Sequence, residues 1–556
     1  MLLTDTFYYL NNFQLVLDSI TKRYLDLLNE EETGFIERFS QLPQVSQALM
    51  VRMIMRKPCL FRAESLHYRE IGPLTEAMPP LLAARWVTGD PEITVDELFS
   101  LTTKPRLVQL LNFPSSDSQL PKAALLARSR LLFPRPQKLS DWASSGSTEI
   151  FRVNVAGLCE RLRLLYFGNF RQSWTEFILA DLGVTRFEAV DLSRARPFVS
   201  RRHWDDFAQV HRCRERLRTG DDPRCVLAAV PDFIEGCDWL EARRQRLLFR
   251  VGQTLERMNE ASAALAVYGG ISHPGAAVRA IRIREVQEEA AVALSACESA
   301  IAACRHEQDE ILLHRARHRL RRRLRLPQDP TERAAKPRLP VIDMTLEKPL
   351  EPYSVELEVA RLLMAADPQT QVFYVENCLI VSLFGLLCWR ALFAPIEGAF
   401  FHPFHREPAD LGDARFFERR RQAFTGCLAQ LDDGTYRRTI LHNFEAKYGI
   451  DNAFVVWAAL EKSLLQGALD CIRAHHLKAW FGLMARNFQA NRCGFPDLIQ
   501  LKPTEQSYRL IEVKAPGDRL QDNQRRVLAL CSSFHMPVAV CRVNWKTAAN
   551  TVAAVS

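Results

Sequence analysis

Two carboxylates and a lysine late in the chain have the types and spacing to do chemistry: Pro496-Asp497, then, after a polar stretch, Glu512-Val513-Lys514. Phe495 to Leu501 and Ser507 to Ala515 read as two strands joined by Lys502, Pro503, Thr504, Glu505 and Gln506, a β-hairpin. A connection centred between Thr504 and Glu505 sets Asp497 opposite Glu512, with Cβ atoms roughly 5 Å apart. Carboxylates that close in a partly buried site do not both stay ionised cheaply unless a cation lies between them. The period of two along a strand puts Lys514 on the face of Glu512 and leaves the Val513 carbonyl as a further hard oxygen ligand. The pattern is that of a magnesium site with a cation beside it.

An Asp and a Glu-x-Lys at this spacing also arise by chance, and a strand alternating Arg509, Glu512 and Lys514 reads equally as a solvated face. Two features favour the site. Both acids sit among apolar strand residues (Leu498, Ile499, Leu501, Leu510, Ile511, Val513), and the next segment completes a unit. Asp518 to Phe534 reads as a capped helix with Leu520, Val527, Leu528 and Cys531 inward, followed by a strand from Pro537 to Trp545. This ββαβ order places the acids at the edge of a mixed sheet. The string G-F-P-D-L-I, followed by L-I-E-V-K-A-P-G-D-R-L and Gln524, resembles the VRR-NUC branch of the PD-(D/E)xK nuclease superfamily.

The 556 residues provide for three or four domains, and 47% hydrophobic residues provide for a sizeable core. A net charge of +8 suits a polyanionic partner without requiring one. The fourteen cysteines are scattered with no C-x-x-C or C-x-x-H pair, which points to buried thiols in a reducing compartment rather than to structural zinc. The N-terminus meets Asp5 before any apolar run and has no basic region, unlike a signal peptide. The longest apolar run, Cys378 to Trp389, is too short to span a bilayer, which takes about 20 residues, and reads as a core helix. The expected location is cytoplasmic, or nuclear if the source has a nucleus.

The elements that would deliver a substrate precede the hairpin. Leu10 to about Ile71 has a helical pattern, and within it Arg52, Arg56, Lys57, Arg62, His67 and Arg69 interleave with Phe61 and Tyr68. That mix grips phosphates and covers bases, although a solvated basic helix face has the same composition. Leu107 to Leu111, a turn NFPSSDSQ and Lys122 to Leu132 form a helix pair similar to a SAP module, with Lys122 and Arg128 toward duplex phosphates; the usual loop glycine is missing. From about Gln137 to Arg325 the chain is helical. There Gly252, Ala264 and Tyr268 imitate tetratricopeptide spacing, in which a small residue lets two helices approach and an aromatic fills the gap. Arg315, Arg317, Arg319, Arg321, Arg322, Arg323 and Arg325, with no acid among them, suggest backbone phosphate contact before prolines end the helix. Glu376 heads the apolar helix, where it reads either as a cap favoured by the dipole or as an acid held against the hairpin. Arg419, Arg420 and Arg421, and then Lys478, Arg486 and Arg492, are candidate strand clamps.

The block from Glu376 through Phe384-Gly385-Leu386-Leu387-Cys388-Trp389, then Ala409-Asp410-Leu411, Phe416-Phe417 and Arg419 to Arg421, and finally the hairpin, resembles the Fanconi-associated nuclease family. The motifs are specific in the last third and looser elsewhere. The resemblance implies a mostly α protein with a C-terminal α/β domain: an N-terminal helical DNA-binding region (1–75), a SAP-like module (76–136), a tetratricopeptide-like domain (137–340) and a VRR-NUC domain with a restriction-endonuclease-like mixed sheet (341–556). It implies a structure-selective DNase that cuts near 5′ flaps, trims 5′ to 3′ and acts in interstrand crosslink repair. Glu376, Asp497, Glu512 and Lys514 carry over as the active-site set. One Mg²⁺ or Mn²⁺ would be held by Asp497, Glu512 and the Val513 carbonyl, with Glu376 completing the site or bridging to a second ion and Gln524 steadying Lys514 or a phosphate. The absence of an N-terminal ubiquitin-binding zinc finger suggests a bacterial-type member. The alternatives are a helical adaptor on a decayed nuclease fold, and an RNase or junction resolvase sharing the site.

Overall fold

The computed structural model describes residues 6–56, 59–114, 119–142, 149–181, 183–192, 196–304, 307–327, 339–347, 354–413 and 415–546. Helices predominate, and no helix among the described residues is long and apolar enough to cross a membrane. The chain forms two compact units: Met1–Phe187 with Arg194–Arg201 and Phe401–Phe404, and Glu188–Ser193 with Arg202–Phe400 and His405–Ser556. Most of the repeat-like helices group with the C-terminal sheet.

In the first unit the helix Glu30–Gln41 starts at a capping box, with Asn29 Oδ1 accepting from the Glu32 amide at 2.8 Å and Glu32 Oε2 accepting from the Asn29 amide at 3.0 Å. The helical pattern does not run to Ile71 as expected. After the helix Gln44–Ile54 the chain becomes strand β1 (Leu60–Arg62), which joins β2 (Val87–Gly89) and β3 (Ile150–Val153) in an antiparallel sheet of order β1-β3-β2. Buried Leu60 and Phe61 gain a partner strand from far along the chain, which outweighs local helical spacing. The SAP-like pair forms as helices Lys104–Leu110 and Lys122–Leu132, with residues 115–118 of the turn outside the described residues.

In the second unit the helices Asp238–Arg257 and Ala261–Gly269 meet where the Gly252 and Tyr268 spacing predicts. A Cβ on Gly252 would stand 2.6 Å from a Tyr268 ring carbon, so only glycine permits this approach. The Tyr268 hydroxyl is satisfied by Glu256 at 2.9 Å.

The second sheet comprises β4 (Val341–Leu346), β5 (Gln371–Tyr374), β6 (Leu498–Lys502), β7 (Ser507–Lys514) and β8 (Val538–Trp545), in the order β4-β8-β7-β6-β5. β8 runs parallel to β4 and to β7, while β6 is antiparallel to β7 and to β5, so the sheet is mixed as expected. The acids are not at its edge: β7 is the middle strand, and β4 and β5 are the outer ones. The continuous burial of Leu510, Ile511, Glu512 and Val513 fits that place, because both faces are covered. Leu498, Ile511 and Val513 pack with Val359 and Ala360 of the helix Val355–Ala366. Ile499, Leu501 and Leu510 pack into the large core built on the buried helix Leu379–Leu387, together with Val527, Leu528 and Cys531 of the helix Asp522–Ser533. That last helix starts four residues later than expected, because Asp518 accepts from the Ala515 amide at 3.2 Å and closes a turn at Gly517 (φ +96°).

Candidate active site

The hairpin register is the predicted one: Leu498 pairs with Ile511 and Ile499 with Leu510, so one more step sets Asp497 opposite Glu512. Pro503–Glu505 form a single 3₁₀ turn and Gln506 takes a left-handed conformation (φ 47°), which closes the connection without a slip. Asp497 Oδ2 accepts from the Val513 amide at 2.7 Å. A strand residue points its N–H and C=O to the same side, so the Val513 carbonyl also faces β6. Pro496 is the residue opposite it and has no N–H to offer, which leaves that carbonyl unclaimed by β6.

Glu512 is fully buried, and neither of its carboxylate oxygens receives a directed hydrogen bond, although Lys514 Nζ stands 2.7 Å from Oε1 in an ionic contact. Burial is the main force that raises its pKa to about 7; the charge of Asp497 adds to this and Lys514 opposes it. Asp497 is raised to about 6, again chiefly by burial, with the charges of Glu376 and Glu356 adding and the Val513 amide and Lys514 opposing. Lys514 is a single cation beside two buried carboxylates, so the negative charge and hard oxygen donors that remain suit a divalent ion. Among the described residues, no three His, Cys, Asp or Glu side chains gather closely enough to ligate one as they stand.

Glu376 reaches the site beyond the paired end of β5. The Val375 amide donates to the Asp497 carbonyl at 2.8 Å, and Asn377 Oδ1 accepts from the Gly494 and Phe495 amides at 2.7 and 3.1 Å. The residues on either side of Glu376 are thus stitched to the chain at Asp497 and just before it. Asn377 adopts φ 51°, which asparagine tolerates. The capping reading of Glu376 fails: the helix begins at Leu379, and the carboxylate instead accepts from the Tyr374 hydroxyl at 2.5 Å and from Asn377 Nδ2 at 3.2 Å. Gly494 (φ +98°) passes so close to the start of the following helix that a Cβ would lie 2.6 Å from the Asn523 carbonyl carbon.

Tyr374, Asn377 and Glu356 are the neighbours that motif reading missed. Glu356 alone had a local signal, lying three and four residues before Val359 and Ala360, the sheet-facing residues of its helix. The Gln524 side-chain oxygen accepts from the Gln521 amide at 2.9 Å and caps its own helix.

The basic candidates divide. Arg420 is a correction: its side chain is fully buried, its guanidinium meets both oxygens of Asp410 at 2.8 Å, and it lies 4.1 Å from the Phe416 ring centre. Arg419 shares Asp410 at 2.7 Å, Arg421 pairs with Glu418, and Lys478 holds Asp432 at 2.6 Å. Arg52 bonds Glu70 at 2.5 Å between the rings of Tyr9 and Tyr68. Arg56 bonds the Ser65 carbonyl, Lys122 the Thr102 carbonyl, and Lys57 lies outside the described residues. Arg128 and Arg486 are exposed, and Arg492 stacks 5.6 Å from the Phe488 ring centre. In the arginine-rich helix Glu307–Arg323, Arg315 pairs with Asp522 and Arg319 with Glu285, so acids absent from the local sequence arrive from other helices.

Family models match three stretches: "FAN1, HTH domain" over residues 7–88, "Fanconi anemia-associated nuclease SAP domain" over 92–142 and "VRR-NUC domain" over 431–545. The Fanconi-associated nuclease 1 homolog of Pseudomonas aeruginosa is 45% identical over 544 residues, covering 98% of this chain and 97% of that one. Fanconi-associated nuclease 1 of Homo sapiens is 22% identical, over 96% of this chain and 62% of its own length. A crystal structure of paFAN1 bound to 2nt 5′flap DNA with gap superposes with a TM-score of 0.94 at 44% identity, covering 98% of this chain and all of that one. A second, with 1nt 5′flap DNA, gives 0.91 at 45%. With a near-full-length relative at this identity and a fold shared from end to end, the chain belongs to the Fanconi-associated nuclease family.

Proposed function

We propose that this protein is a structure-selective DNA nuclease that hydrolyses a phosphodiester near a 5′ flap, with 5′ to 3′ trimming, in interstrand crosslink repair. What carries the chemistry is the buried Glu512 carboxylate, without a directed donor, beside Lys514 and opposite Asp497. What carries the substrate is the full-length likeness to structures bound to 5′-flap DNA.

Asp497, Glu512 and the Val513 carbonyl would hold a divalent ion, Mg²⁺ or Mn²⁺, with Glu376 beside them. Such an ion supplies Lewis acidity and a water of lowered pKa. Around it the chain does the rest. The Val513 amide fixes one oxygen of Asp497 and leaves the other to face the site. Lys514 Nζ, held at Glu512, would orient the attacking water and offset negative charge building on the phosphate oxygens. Arg128, Arg486 and Arg492 remain proposed backbone contacts; Arg420 does not.

In the decisive experiment, 5′-flap, 3′-flap, splayed-arm, four-way and single-stranded DNA and RNA are incubated with Mg²⁺ and wild-type or Asp497→Ala protein. The expected outcome is preferred cutting of the 5′ flap by the wild type and none by Asp497→Ala, which still binds the flap in Ca²⁺ nearly as the wild type does. Wild-type cutting by Asp497→Ala would remove the assignment, and equal cutting of RNA would favour the RNase reading.

A further inference from the structure

Glu376 is the one proposed site acid that comes from outside the hairpin, and it sits past the last paired residue of β5 on a half-buried stretch. A glutamate there has three side-chain torsions to fix before it can serve a cation, and nothing in its own backbone fixes them. Two contacts do. Asn377 Nδ2 donates to Oε1 at 3.2 Å, a long bond from the adjacent residue. The Tyr374 hydroxyl donates to Oε2 at 2.5 Å, a short bond of the strong, charge-assisted kind. Tyr374 is itself rigidly placed, because it pairs in register with Leu498 next to Asp497, and the period of two along the strand sends it the same way as Glu376. We infer that Tyr374 is a positioning residue, whose hydroxyl restrains the Glu376 carboxylate beside the hairpin, so that fewer torsions remain to be fixed when the divalent ion binds. This rests on the proposed reading of Glu376 as part of the site.

The structure favours this over a role in folding. Tyr374 is 44% exposed on an outer strand, and its hydroxyl meets a carboxylate at the site rather than a core group. Tyr374→Phe keeps the ring and its strand pairing and removes only the donor.

The test is Mn²⁺ binding by calorimetry without DNA, alongside the Mn²⁺ concentration for half-maximal cutting of a 5′ flap. The proteins compared are wild type, Tyr374→Phe, Glu376→Gln, the double variant and Asp497→Ala. Tyr374→Phe is expected to weaken Mn²⁺ binding about tenfold with an unchanged melting temperature, and to raise the half-maximal Mn²⁺ concentration by a similar factor while the KM for DNA at saturating Mn²⁺ stays put. The double variant should bind no worse than Glu376→Gln alone, because the hydroxyl acts only through that carboxylate. Additive losses, or a wild-type isotherm for Tyr374→Phe beside a lost one for Asp497→Ala, would overturn the role of Tyr374 and leave the site standing. A wild-type isotherm for Asp497→Ala would overturn the site reading and this proposal with it.

Discussion

Asp497 and Glu512 are held above their ordinary pKa values, at about 6 and about 7, mainly because the fold buries them. The metal-free folded chain therefore keeps protons that the unfolded chain sheds from about pH 4 upward. Their contribution to stability is greatest below the unfolded values and is lost as pH rises through the folded ones. A divalent ion reverses this, because it binds the ionised forms and displaces the protons. Thermal melts are expected to show a larger gain from Mn²⁺ at about pH 8 than at about pH 5.5, and Mg²⁺-dependent cutting should fall as pH drops through the interval from 7 to 6. An equal gain at both pH values would mean that the ion does not meet these two carboxylates. How far the site can be read from sequence follows from the same residues. Asp497, Glu512 and Lys514 sit on one hairpin, so a loop and a period of two suffice to bring them together. Tyr374, Asn377 and Glu356 come to them through sheet order and helix packing, which no short window of sequence contains.

At the scale of elements, the arginines show why charge runs mislead. Arg419, Arg420 and Arg421 read as a clamp for a strand, yet Asp410 lies close enough in the folded chain to bind two of them. Arg52 and Arg319 are likewise engaged by Glu70 and Glu285. Spacing on one helix shows where a cation stands and not which acid folds against it. Because Arg420 is buried and bidentate, Arg420→Ala leaves Asp410 partly unpaired and opens a gap beside Phe416. The expected cost is about 3–5 kcal/mol. Arg420→Lys should recover little of it, since one ammonium cannot span both carboxylate oxygens. Thermal melting checks both variants, and a wild-type melting temperature for Arg420→Ala would return this residue to the list of DNA contacts. The repeat-like helices were legible where packing demanded a single residue type, as at Gly252 against Tyr268. The strand at Leu60–Arg62 was not, because its partner lies some ninety residues away.

For the whole molecule, a net charge of +8 spread over 556 residues is modest, and many arginines are spent on internal pairs. Binding to flap DNA should still depend steeply on salt, falling about a thousandfold between roughly 50 and 200 mM if some six phosphates are neutralised. Fluorescence anisotropy in Ca²⁺ measures the slope. Arg486→Ala is expected to flatten it by about one unit, as removal of a single phosphate contact does. Arg420→Ala protein that remains folded should leave the slope unchanged. A slope near zero would mean that the chain holds DNA through contacts other than phosphate neutralisation.

The Val513 amide gives its proton to an aspartate side chain rather than to a neighbouring strand. Its chemical shift and its rate of hydrogen exchange therefore follow the state of a single carboxylate. In an isotopically labelled sample, this one backbone signal in the middle of the sheet would report when Asp497 is protonated, ionised or engaged, without a mutation and without a substrate.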